Sequence, residues 1–446
     1  MKIFKAIEAR FLKADLGHQA IATGMASVVL FVFVGKLAGA AKEMVVAFRY
    51  GVSEEVDAYL FVFNLVSWPV SVWFSVLTVV LVPLAARLRH ESKESIAIFR
   101  AELLGLTILI GAAFTVLFWL ILPSLFRFSW LGLSSSTSLI AIKMVPELGG
   151  LIFFGFLASL FSAWMLSARR HANTLLEGVP SVAILSTLLI IPVDGIAPLV
   201  WGTLIGFALH LISLAIPLAK SREIEIPKFA RNSRHWRVFW QGFGIMMVGQ
   251  MLMSLIGIID QFFASHLGTG AISSLSYANR LLALVLGLGA TAISRATLPV
   301  FSQAQNQQGE DIHNLASYWM KALFIFGLVA IIIGWWLAPF GVKLLFQRGA
   351  FTANNTEVVT EIFRYGLLQL PFYFSGLVLV SQLSSQEKYK SIAIIAASNL
   401  PIKVVLNFLL IPSFGMIGLM ISTGLMLFSS MVMCWIAVRH ANLARL

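Results

Sequence analysis

Charge is scarce in this sequence. Only 12% of its 446 residues are Asp, Glu, Lys or Arg, against roughly 25% in a soluble domain. With 59% hydrophobic residues, the chain has too little polar surface to cover itself in water, so lipid must be its solvent. Cysteine is nearly absent. Cys434 stands alone inside an apolar run, which excludes a disulfide framework within the chain and a cysteine-based metal cluster. There is no Walker A loop and no H-E-x-x-H spacing among the scattered histidines, so P-loop ATP hydrolysis and zincin chemistry have no carrier. No catalytic constellation is visible, and the chain does not read as an enzyme or as the holder of a cofactor. No A-x-A-like cleavage site follows the basic, amphipathic residues 1–19. They read as a cytoplasmic surface helix rather than a removable signal. The net charge of +12 would suggest nucleic acid in a soluble protein. Here the basic residues sit mostly between apolar runs, where they read as loop anchors and not as a nucleic-acid surface.

What is there is a long series of apolar runs. A helix needs about 20 mostly apolar residues to cross the hydrocarbon core. About twelve stretches meet that criterion: 20–47, 57–84, 101–123, 138–167, 174–192, 196–218, 238–265, 272–300, 316–339, 357–382, 391–412 and 416–438. Charges interrupt the first. The even-numbered connections and the N-terminal stretch carry clusters such as Arg87, Arg89, Lys93 and Arg100, or Lys220, Arg222, Lys228, Arg231, Arg234 and Arg237. The odd-numbered ones carry few: Arg49, Arg127, Lys343 and Arg348. This alternation puts both termini in the cytoplasm of a bacterial-type inner membrane.

The two halves of the chain resemble each other. Leu188 to Pro192 followed by Gly195 matches Phe408 to Pro412 followed by Gly415. Pro83, Pro123, Pro146 and Pro180 match Pro299, Pro339, Pro371 and Pro401 in order. With 14 prolines in all, such ordered pairing indicates a repeat. Each half holds six spans, so both insert with the same orientation and the repeat is parallel. The expected architecture is an all-α polytopic protein with two six-helix bundles, 20–219 and 238–446, in a V-shape. A basic cytoplasmic linker, 220–237, joins them. Two such bundles can rock about a site at their interface.

Ionisable groups inside spans are expensive and usually face a cavity or a partner. Lys36 lies well inside the first span and Arg280 about two turns into the eighth. Lys36 and Lys42 are six residues apart, roughly 240° round a regular helix, with Gly35 and Gly39 placed to let it bend. An excess of cations in a membrane cavity calls for an anion. Diphosphate suits, because ammonium and guanidinium groups both bind phosphate oxygens. The blander reading is internal pairing: Lys42 with Glu43 or Asp57, and Arg280 with Asp260. Asp57 and Asn64 in the second span and Asn279 in the eighth are further candidate substrate-binding residues. Asp260 and Lys403 form another candidate pair. It is either a permanent salt bridge in the second bundle or a coupling site where a cation or proton competes for the carboxylate.

Several stretches resemble the MurJ/MviN family of lipid II flippases, within the multidrug, oligosaccharidyl-lipid and polysaccharide exporter superfamily. They are Gly35 to Glu43 running on to Tyr50-Gly51 and Asp57-Ala58-Tyr59; Ile259-Asp260-Gln261 to Ser265 with Tyr277-Ala278-Asn279-Arg280-Leu281 and Leu298-Pro299; and Leu345 to Thr352. The resemblance implies that Lys36, Lys42 and Arg280 hold a lipid diphosphate. It implies that Asp57 is the acidic position of the second span, and that Asp260, Asn399 and Thr423 resemble a cation site. Two family arginines are lysines here, which loses bidentate geometry but keeps charge. A further one falls near Val70 or Ser71. Lys403 stands where some members carry an acidic ion ligand, which argues against a similar sodium site. The two C-terminal spans usual in the family do not follow in this sequence. That raises a related exopolysaccharide or O-antigen-like precursor beside lipid II.

The expected activity is alternating-access translocation of a polyprenyl-diphosphate-linked glycan for peptidoglycan or polysaccharide biosynthesis. The expected partners are membrane lipid and an envelope-synthesis complex. The drive would come from a monovalent cation, a proton or the membrane potential. The alternative is a cation-coupled exporter of small drugs.

Overall fold

The computed structural model describes residues 35–88, 93–168, 172–193, 195–305, 310–386 and 388–443. The expected surface helix at 1–19 and most of the first span lie outside them. The described residues are mostly helical, with no strand among them. The helices are α1 (35–50), α2 (Glu54–Leu88), α3 (Lys93–Leu125), α4 (Ser135–Gly149), α5 (Leu151–Ser167), α6 (Ala172–Leu176), α7 (Val179–Ile190), α8 (Ala197–Lys220), α9 (Trp236–Ser265), α10 (Ala271–Gln305), α11 (Glu310–Phe346), α12 (Ala353–Leu367), α13 (Leu370–Ser385) and α14 (Tyr389–Leu443). Among the described residues seven helical runs, one of them α12 together with α13, are long and apolar enough to cross a membrane, or eight if the bent pair α4–α5 counts as one span. Together with the shorter α7 and α10, and α14 counted as two, they correspond to eleven of the twelve spans read from the sequence, and α1 is the described end of the first.

Two expected single spans are broken. Span 138–167 divides into α4 and α5, bent by 41°. Span 357–382 divides into α12 and α13 between Leu367 and Leu370. Proline lacks an N–H and cannot complete the i to i−4 ladder. Pro146 stands inside α4 and Pro371 in the first turn of α13, one break in each half. The repeat also appears in the backbone. Gly195 (φ +86°) and Gly415 (φ +54°) are both left-handed. Each follows its Ile-Pro pair and lets the chain turn from one helix to the next, since glycine alone enters this region without a Cβ penalty. At Gly415 α14 therefore divides into two helices, 389–414 and 416–443.

The chain forms two compact units that interleave in sequence. The first holds Met1–Val46, Pro69–Leu120 and Pro146–Gly244; the second holds Ala47–Trp68, Ile121–Val145 and Ile245–Leu446.

In the first unit, α8 packs against α5 and α7. In lipid there is little hydrophobic force between helices, so close backbone approach must supply the packing. Gly202 and Gly206, four residues apart on α8, allow it. A Cβ on Gly206 would stand 3.0 Å from Pro180 Cα, and one on Gly202 would stand 3.0 Å from Thr187 Cβ. Residues 221–235, between α8 and α9, are held to α3. Glu102, 1% exposed, accepts from Asn232 N (2.8 Å), Ser233 N (3.1 Å) and Trp236 Nε1 (2.6 Å). Lys228 N donates to Ala101 O at 2.9 Å.

In the second unit, α13 packs against α10, α11 and α14. Leu379, Leu383, Ile395, Cys434 and Val438 form a buried cluster there. The outer face of α11 is apolar and exposed, with Trp336 79%, Phe340 65% and Ile332 62% exposed. In a membrane protein such a face meets acyl chains.

Candidate functional site

The corner between α1 and α2 is built for a tight turn and a helix start. Ser53 Oγ accepts from Val56 N, a side-chain N-cap, and Glu54, Glu55 and Asp57 occupy the first turn of α2, where the helix dipole favours negative charge. Asp57, 2% exposed, reaches away from its own helix. Its Oδ2 accepts from Gly270 N at 2.6 Å and its Oδ1 from Ser273 N at 2.7 Å. A carboxylate thus caps the N-terminus of α10, satisfying two amides that have no partner within that helix.

More of the second unit ties into the same corner. Tyr277 Oη donates to Gly51 O at 3.0 Å, and its ring lies 5.1 Å from Phe346 and 5.3 Å from Phe351. Ala350 N donates to Phe48 O at 2.8 Å. Thr352 Oγ1 then accepts from Asn355 N and caps α12. Ser134 and Ser136 donate to the two oxygens of Glu54 at 3.2 and 2.6 Å. Ser265 Oγ donates to Leu131 O. The result is a latch joining the connections α1–α2, α3–α4, α9–α10 and α11–α12. Parts of all three motif stretches singled out in the sequence converge here. Asp57, expected as a substrate residue, is committed to backbone donors in this structure.

The candidate cations divide between the units. Lys36 is exposed on α1. Lys42 is paired with its neighbour Glu43, the blander of the two sequence readings. Both belong to the first unit. Arg280, half-buried, and Asn279, exposed, lie on α10 in the second unit, with half-buried Asn64 on α2.

The ion-coupling candidates form a second constellation, wholly in the second unit. Lys403 is fully buried. Its Nζ lies 3.0 Å from Asp260 Oδ1, 3.0 Å from Leu419 O, 2.8 Å from Ser422 Oγ and 2.5 Å from Thr423 Oγ1. Asn407, also fully buried, donates to Asp260 Oδ1 at 3.4 Å and accepts from Ser422 Oγ. Asn399 is drawn aside, with its Nδ2 on Ser430 Oγ at 3.5 Å. Asn407 and Ser422 were not among the residues singled out from the sequence. Asn407 stands four residues after Lys403 and so on the same helix face.

A family model described as lipid II flippase MurJ matches residues 46–444. The chain belongs to the MurJ family. A probable lipid II flippase MurJ of Buchnera aphidicola subsp. Baizongia pistaciae is 24% identical over 371 residues, 80% of this chain and 72% of that protein. One of Bdellovibrio bacteriovorus is 29% identical over 241 residues, 51% of this chain and 43% of that protein. Among solved structures, a lipid II flippase MurJ in an inward closed conformation superposes with a TM-score of 0.81 at 21% identity, over 93% of this chain and 87% of that one. An inward-facing multidrug resistance MATE family transporter of the MOP superfamily gives 0.76 at 16% identity, over 92% and 95%. These likenesses show the MurJ and MATE fold. MurJ membership also makes this a membrane transport protein, consistent with its apolar spans.

Proposed function

We propose that this chain translocates a polyprenyl-diphosphate-linked glycan of the cell envelope, lipid II or a related precursor, across the bacterial inner membrane by alternating access. The family match over residues 46–444 carries the reading. The charge alternation of the connections supports cytoplasmic termini and puts the latch around Asp57 on the outer side. On this reading the latch is the outer gate, and its carboxylate-capped corner must part each time the site opens outward. Lys36, Lys42 and Arg280 neutralise the diphosphate while the prenyl tail stays in lipid. Lys42 does so by exchanging Glu43 for phosphate oxygens. Arg280 supplies the one bidentate grip of the three. No step of the cycle makes or breaks a covalent bond, and the drive comes from an ion gradient or the membrane potential. Membrane lipid is the immediate partner, and an envelope-synthesis complex would supply and consume the substrate.

The fold is shared with a multidrug resistance MATE family transporter, and the competing reading is a cation-coupled exporter of small drugs. Purified protein in liposomes separates the two. Flipping of a labelled polyprenyl-diphosphate sugar, with no uptake of a cationic dye, is the expected result. Dye transport without flipping would replace the proposal by its competitor.

A further inference from the structure

The monovalent-cation site that the sequence resemblance implies around Asp260, Asn399 and Thr423 does not fit the residues present. The place such an ion would take is filled by the chain itself. The Lys403 ammonium has three protons to donate, yet four oxygens surround it within 3.0 Å: Asp260 Oδ1, Leu419 O, Ser422 Oγ and Thr423 Oγ1. Two of these are hydroxyl oxygens whose own protons point elsewhere. Thr423 Oγ1 donates to Leu419 O at 3.1 Å, and Ser422 Oγ donates to Asn407 Oδ1. The Asn407 amide in turn donates to Asp260. Every lone pair facing Nζ is therefore held in place by a bond made on its far side. This is an oxygen cage polarised for one positive charge, and its charge is tethered to α14.

We propose that Lys403 is a built-in cation. It permanently occupies the position of a small monovalent ion between α9 and the two helices of α14, and it makes the second unit independent of sodium and potassium. The geometry explains why an ammonium is tolerated with no exposed surface. A buried charge survives where it is paired and its remaining protons find acceptors. The turn at Gly415 allows the arrangement, since it brings Leu419, Ser422 and Thr423 alongside Lys403, 16 to 20 residues away in sequence. A free ion would bind and leave with its gradient, whereas a tethered one cannot. Any ion that drives this protein must then act elsewhere. The assignment concerns the second unit alone and does not depend on which substrate is carried.

The test compares melting temperatures of the purified full chain in sodium, potassium and choline chloride at equal ionic strength. Wild type is expected to melt identically in all three. Lys403→Ala opens the cage beside an uncompensated Asp260. It is expected to melt lower in choline and to recover in sodium or potassium, the better ion being the one the cage fits. At a hundredfold excess over its dissociation constant such an ion raises the folded-to-unfolded ratio about a hundredfold. The double variant D260N/K403A, which lacks the carboxylate, is expected to lose the response. A wild type stabilised by sodium or potassium over choline overturns the proposal. So does a Lys403→Ala protein equally destabilised in all three salts, the behaviour of an ordinary buried salt bridge. Should Lys403→Ala fail to accumulate, the wild-type comparison decides alone.

Discussion

Replacing Asp57 by alanine removes the acceptor of two backbone donors at once. Gly270 N and Ser273 N lie 2.6 and 2.7 Å from its carboxylate, in a site where the residue is 2% exposed. Water cannot readily replace it there. A hydrogen bond to a charged group contributes about 1.5–3 kcal/mol. A carboxylate at a helix N-terminus gains up to about 2 kcal/mol more from the dipole in a partly buried setting. Against this stands the cost of keeping a carboxylate out of water, which alanine relieves. The net loss should be about 2–3 kcal/mol. At about 1.36 kcal/mol per tenfold, the opening equilibrium of this corner rises roughly 30- to 150-fold. Hydrogen exchange reads that directly, through the peptide carrying the amides of Gly270 and Ser273. Asp57→Asn keeps one carbonyl acceptor and should fall between wild type and alanine. If exchange of this peptide changes by less than about threefold, well under 1 kcal/mol, the carboxylate does not hold α10 and the latch is not a gate.

Three shorter predictions follow the same physics. Glu102→Gln weakens three hydrogen bonds to residues 232–236, so trypsin should cut at Arg231 or Arg234 about tenfold faster, given roughly 1.5–3 kcal/mol for charged bonds. An unchanged cleavage rate would refute the clamp. Gly206→Leu drives a side chain into Pro180, where even a Cβ stands 3.0 Å from the backbone. Overpacking of this kind costs about 1–3 kcal/mol, so the melting temperature should drop, while Gly341→Leu, with open space at its Cβ, should leave it unmoved. Tyr277→Phe removes the bond to Gly51 O but keeps the ring packing. It should loosen the Asp57 corner in hydrogen exchange by about tenfold or less, as one neutral bond contributes about 1 kcal/mol.

Much of the fold is legible because a membrane imposes two coarse patterns, apolar length and loop charge. Twelve spans could be counted from those alone. The breaks inside spans 138–167 and 357–382 were not legible as breaks. The prolines at 146 and 371 were visible, but a proline in a transmembrane helix does not say whether the helix kinks or divides. The site was less legible, for a different reason. Charged residues attract attention in an apolar span, whereas neutral ones such as Asn407 and Ser422 do not, though they shape the cage around Lys403. The partners of Glu102 are backbone amides some 130 residues away, which no local pattern reveals. Asp57 and Tyr277 both stand in motif stretches, and Asp57 reads toward substrate. In the structure they fasten a corner, because a motif records constraint without saying whether the constraint is chemical or architectural. Sequence leaves the partners of Lys42 and Asp260 open; in the structure Lys42 pairs with Glu43 and Asp260 with Lys403.

On the proposed reading, cations on α1 and α10 grip the diphosphate of a lipid-linked glycan. Flipping of a labelled polyprenyl-diphosphate sugar in liposomes tests it most directly, comparing wild type with Lys36→Ala, Arg280→Ala and the double variant, each checked for an unchanged melting temperature. Each single variant is expected to slow flipping, and the double variant to slow it at least a hundredfold, since each charge-assisted contact contributes about 1.5–3 kcal/mol. Flipping by the double variant at the wild-type rate would contradict it.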